Sequence, residues 1–242
     1  MLKCDAVFEG GGIKGIGLAG AIAATEERGY QFMNVAGTSG GAIVAALIAA
    51  GYNAKELHAI MQELDYSKFK DEGLLDKVPV IGKIISLGFE KGIYEGDYLE
   101  TWVREKLAAK GKRIFKDLVM KDYKNSPKYR YRLQVVASDI SRGKMLVLPK
   151  DIKDYGVEPD ELEIARAVRM SMSIPLFFEP VKLALKKTGR ECVIVDGGVL
   201  SNFPVSLLDD GSAEPAWPTF GYLLAEDADV LGTARSSVRS LC

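Results

Sequence analysis

Residues 4–50 hold two consecutive units in which an apolar, strand-like run passes through a glycine-rich turn into a helical stretch. No other feature constrains the fold as strongly. The first unit runs from 4–9 through Gly10-Gly11-Gly12 into a helix expected over about 15–28, and the second from 32–36 through 37–41 into the alanine-rich stretch 42–50. Successive strand–turn–helix units need crossover connections, so the pattern predicts an α/β fold with a central, mostly parallel sheet flanked by helices.

Further along, helices are expected over 54–64, 98–110 and 162–172, the last stopped before Pro175. Strands are expected over 132–140, with 144–148 as a hairpin partner, over 191–195, and over 220–224. Between 65 and 96 regularity fades, and the apolar, glycine-punctuated segment 78–89 reads either as cover for the core or as a lipid-facing cap. The basic run 121–132 reads as a solvated connection. At 242 residues the chain suits one domain, over 1–227, with the small, polar stretch 228–242 as a frayed tail.

Basic and acidic residues nearly cancel, leaving a formal charge of -1, which argues against nucleic acid as a partner. Cys4, Cys192 and Cys242 have neither metal-like nor redox spacing, so free thiols and a reducing, cytoplasmic compartment are expected, with no metal site. No window reads as a signal peptide or a spanning helix, so any membrane contact is expected to be peripheral.

Two glycine motifs carry the candidate chemistry: Gly10-x-Gly12-x-x-Gly15 and Gly37-Thr38-Ser39-Gly40-Gly41. Either alone arises too readily by chance to decide a function; context has to do so. A strand-to-helix turn that raises a serine at the sheet edge needs glycine on both sides, and the helix that follows favours developing negative charge near Ser39. The competing role for Ser39 is a helix N-cap. The first motif can be a dinucleotide fingerprint, but the acidic residue expected at the end of the second strand is missing. Its other use is a turn whose bare N–H groups form an oxyanion hole, with Lys14 beside it.

His58 is the only histidine, and it falls on a helix rather than at the end of a late strand. A Ser-His-Asp triad is therefore not expected, and a serine nucleophile here needs a carboxylate base. Asp196 is the leading candidate, because it ends the apolar run Cys192-Val193-Ile194-Val195 and is followed by Gly197 and Gly198. Asp139 is the rival, with a turn-capping role as its plainer use. An ordinary aspartate, with pKa ~3.9 against ~6.5 for histidine, serves as such a base only if desolvated.

Taken in order, Glu9-Gly10-Gly11-Gly12-Ile13-Lys14-Gly15, Gly37-Thr38-Ser39-Gly40-Gly41 and Asp196-Gly197-Gly198 resemble the patatin-like phospholipase family. The block 167–175 and Asn202-Phe203-Pro204 extend the resemblance over about residues 4–206. It implies a patatin-like three-layer α/β fold, a Ser39–Asp196 dyad, an oxyanion hole at Gly10, Gly11 and Gly12, and no cofactor or metal requirement. The implied reaction is hydrolysis of fatty-acyl esters of phospholipids or other lipids, of phospholipase A or lysophospholipase type. An acyltransferase using the same dyad, a phosphate- or nucleotide-binding module and a catalytically idle scaffold are the alternatives.

Overall fold

A computed structural model describes residues 1–12, 17–63, 96–123, 126, 129–209, 212 and 214–224. Lys14 and Gly15, the segment 78–89, Cys242 and the stretch 228–242 lie outside the described residues.

The elements follow as β1 (Leu2–Phe8), α1 (Gly17–Glu27), β2 (Tyr30–Thr38), α2 (Gly40–Ala50), α3 (Ala54–Glu63), α4 (Asp97–Ala109), β3 (Leu133–Asp139), β4 (Lys144–Leu148), α5 (Ile164–Ser171), β5 (Val181–Ala184), β6 (Glu191–Asp196) and β7 (Thr219–Tyr222). The α/β architecture expected from the glycine-linked units is present. The short strand β5 was not foreseen, because Val181-Lys182-Leu183-Ala184 offers too little alternation to stand out.

Seven strands form one sheet, and its two halves pair differently. β7, β1, β2 and β3 run parallel, whereas β4 and β6 lie antiparallel to β3, and β5 is antiparallel to β6. The register on β3 matters most. β4 pairs with Val135–Asp139, overlapping the residues that pair with β2 (Leu133–Val136) and those that pair with β6 (Ala137–Asp139). Because a strand has only two edges, β2 and β6 must share the edge opposite β4. They meet there head-on: Thr38 pairs with Val136 and Asp196 with Ala137.

Helix α2 is buried along its whole length, as an all-apolar helix should be. Its alanines let it lie close to the strands, and Gly51 ends it in the left-handed region (φ 104°) with its N–H bonded to the carbonyls of Ile48 and Leu47. Around it, α4 buries Leu99, Trp102, Val103 and Leu107, the i, i+3, i+4, i+8 stripe of an amphipathic helix. The core thereby fixes α2, and with α2 the turn at its N-terminus.

Candidate active site

Ser39 alone makes the turn between β2 and α2. Its backbone has φ 53° and ψ -128°, a region that side-chain-bearing residues avoid at a cost of about 1–3 kcal/mol. Two hydrogen bonds hold it there: the Ser39 N–H donates to Ser171 Oγ at 2.9 Å, and the Ser171 hydroxyl donates to the Val136 carbonyl at 2.5 Å. Although Ser39 stands at the N-cap position of α2, its side chain caps nothing. The hydroxyl instead faces Met172 Sδ at 3.6 Å. The flanking glycines answer to crowding, since a Cβ on Gly40 would lie 2.3 Å from the Gly12 carbonyl oxygen and one on Gly41 2.4 Å from that of Phe8.

Asp196 reaches this turn from the opposite direction, at the end of β6. The crossing is tight: a Cβ on Gly197 would lie 2.3 Å from the Val136 carbonyl oxygen and 2.8 Å from Thr38 Cγ2. The Asp196 N–H donates to the Ser173 carbonyl (2.9 Å), and the Gly198 N–H donates to Asp196 Oδ1 (2.7 Å). Oδ2 is buried without a hydrogen-bond partner among the described residues. Asp196 is only 6% exposed. Burial pushes its carboxyl up to about 6, while the nearby Ser39 hydroxyl and the Gly198 N–H pull more weakly the other way.

The first glycine loop lies against this pair, and one of the three donors expected there is already engaged. The Gly10 N–H donates to the Asn202 carbonyl at 3.0 Å, so it is not free to meet an oxyanion. The N–H groups of Gly11 and Gly12 make no hydrogen bond among the described residues. Asn202 fastens the loop a second time, donating from Nδ2 to the Gly10 carbonyl (3.0 Å) and to Glu9 Oε1 (3.2 Å).

Asp139, the rival base, is fully buried and fully occupied. Its carboxylate accepts from Arg142 Nε (2.6 Å), the Tyr155 hydroxyl (2.6 Å) and the Arg142 N–H (3.1 Å). Burial alone would raise its pKa, but the bonds from Tyr155, Arg142 and Cys192 together hold it below the ordinary carboxylate value. It secures the β3–β4 turn. His58 is exposed on α3. Among the described residues no group of His, Cys, Asp and Glu is arranged to hold a metal ion, and no helix is long and apolar enough to cross a membrane.

The supporting residues of α5 carried no individual signal in the sequence. Besides Ser171, the buried Arg169 donates to Ser173 Oγ (2.6 Å) and to the Glu179 carbonyl (2.8 Å), steadying the residue whose carbonyl holds the Asp196 N–H. Only their place in the block 167–175 pointed to them; the chemistry of a lone serine or arginine on a helix did not.

The sequence pattern of the patatin-like phospholipases matches residues 6–209. The Bacillus subtilis (strain 168) protein YqhO is 47% identical over 221 residues, covering 91% of this chain and 71% of its own length. "Probable lipid hydrolase 463L" of Invertebrate iridescent virus 6 is 24% identical over 216 residues, covering 83% of this chain and 61% of its own. Among solved structures, VipD from Legionella pneumophila superposes with a TM-score of 0.52 at 19% identity, which is a likeness of fold. That match covers 95% of this chain and 52% of VipD, so the chain spans about half the length of that structure. With the family's sequence pattern matched over residues 6–209, this chain belongs to the patatin-like phospholipase family.

Proposed function

We propose that this chain is a lipid acyl hydrolase of phospholipase A or lysophospholipase type, working through a Ser39–Asp196 dyad within one domain over 1–227. Family membership supports lipid hydrolysis in general. The observation that carries the finer reading is the buried Asp196 carboxylate, with a pKa raised to about 6 and Oδ2 unpartnered, beside a serine on a strained turn.

In this mechanism the Ser39 hydroxyl leaves Met172 Sδ, gives its proton to Asp196 Oδ2 and attacks the ester carbonyl carbon. The negative charge on the carbonyl oxygen is met by the Gly11 and Gly12 N–H groups and by that of Gly40 at the start of α2. Asp196 returns the proton to the departing alcohol, leaving an acyl-enzyme on Ser39. It then takes a proton from water, whose attack on the acyl carbon releases the fatty acid and restores the serine. Every step uses groups of this chain and water. The substrate is an acyl-ester lipid, met by peripheral contact with a membrane.

Labelling with a fluorophosphonate probe tests the reading. The parent protein should carry the adduct on Ser39 and hydrolyse a short-chain ester, and Ser39→Ala should do neither. An unlabelled, inactive but folded parent protein would count against the hydrolase.

A further inference from the structure

The β5–β6 hairpin lies on the catalytic side of the sheet. Because β6 runs antiparallel to β3 and ends at Ala137, its earlier residues extend past the C-terminal end of β3: the Ile140 N–H donates to the Val193 carbonyl, and the Val193 N–H donates to Ser141 Oγ. At about 3.3 Å per residue, Arg190 stands about 20 Å beyond Asp196 along the strand. The tip is ordered by its own bonds, with the Leu185 N–H donating to the Arg190 carbonyl and the Gly189 N–H to the Leu185 carbonyl. The Lys186 N–H donates to the Asp154 carbonyl, tying the tip to the neighbouring turn that carries Lys153.

This tip is strongly cationic. Lys153, Lys186, Lys187 and Arg190 are all exposed, and none makes an ion pair among the described residues. The nearby carboxylates are taken by other cations: Asp154 by Arg142 and Lys144, Asp139 by Arg142, and Glu191 by Lys182. The concentration of charge stands out on a chain whose net charge is -1. Exposed cations without ion-pair partners among the described residues, on the Ser39 side of the sheet, complement the surface of an anionic bilayer, where the acyl-ester lipids of the proposed reaction lie.

We infer that the β5–β6 hairpin tip is a docking surface for an anionic lipid bilayer, turning the Ser39 edge of the sheet toward it. The inference rests on the hydrolase reading for its biological sense, but binding can be measured without activity.

Co-sedimentation of the whole chain with phosphatidylcholine vesicles, with and without phosphatidylserine, tests it. The parent should prefer the phosphatidylserine vesicles and be released by raised salt. The triple variant Lys186→Gln, Lys187→Gln, Arg190→Gln should bind them more weakly by on the order of one hundredfold. Its melting temperature and its rate on a soluble short-chain ester should be unchanged. A control removing three exposed lysines elsewhere (Lys55→Gln, Lys116→Gln, Lys121→Gln) should bind like the parent. Equal binding by the hairpin variant, an equal loss in the control, or a parent with no preference for phosphatidylserine would each overturn the inference. Selective binding by a parent that hydrolyses no ester would support the docking surface while removing the hydrolase.

Discussion

Thr38 and Asp196 face neighbouring residues on the same edge of β3, Val136 and Ala137, because β2 and β6 run toward each other along it. The residue after Thr38 is Ser39, the proposed nucleophile. An aspartate at the end of a strand would ordinarily point to solvent, but here the two chain ends block each other's exit. Asp196 is left buried beside Ser39.

Burial of Asp196 predicts a pH dependence for the proposed reaction. With its carboxyl raised to about 6, Asp196 is mostly protonated below that pH and cannot accept the serine proton. kcat/KM on a soluble ester should therefore fall roughly tenfold per pH unit on the acid side of about 6. An acid limb near the ordinary aspartate value would show that desolvation does not tune the base.

The same shift predicts that the site costs stability. A carboxyl whose folded pKa lies above its unfolded value binds its proton more tightly when folded. The penalty is absent below the unfolded pKa, grows as pH rises through the interval, and is complete above about 6. Asp196→Asn should thus be inactive yet more stable than the parent at neutral pH, by roughly 2–3 kcal/mol. Ser39→Gly, which relieves the φ 53° backbone, should gain about 1 kcal/mol. Denaturant melts at neutral and acid pH check both, and the Asp196→Asn gain should vanish in acid.

Ser171 is expected to position the nucleophile rather than to react. Ser171→Ala deprives the buried Ser39 N–H of its acceptor, costing about 1–3 kcal/mol, and frees the strained turn to relax. kcat and the fluorophosphonate labelling rate per folded molecule should drop on the order of tenfold with KM nearly constant. A lowered melting temperature with an unchanged labelling rate would reduce Ser171 to packing.

Asp139→Asn should do the reverse of Asp196→Asn. Breaking the buried pair with Arg142 should cost about 3–5 kcal/mol, while the molecules that still fold keep their specific activity. Loss of activity at unchanged stability would return Asp139 to consideration as the base.

Much of this was legible in the chain itself. The glycine-linked units at 4–50 announced the α/β sheet, because strand and helix periods and the residues that turn between them are local properties. The lack of a histidine at a strand end directed attention to carboxylates, and Asp196 stood out by the glycines that follow it. Yet the sequence did not separate the two uses of Ser39, nor did it show that the Gly10 N–H is consumed by Asn202, since both depend on partners more than a hundred residues away.

The local pattern of residues therefore determined the elements, the turn at Ser39 and a short list of candidate carboxylates. Tertiary structure alone decided which carboxylate is paired with a cation and which is buried with an unpartnered oxygen. Asp139 and Asp196 both end apolar strands, but one carboxylate is held by Arg142 and Tyr155, whereas the other is buried with the Gly198 N–H and the nearby Ser39 hydroxyl and no cation paired to it among the described residues. A pKa is set by the dielectric and the charges within a few ångströms, and those neighbours come together only when β6 returns along the edge of β3 to meet β2.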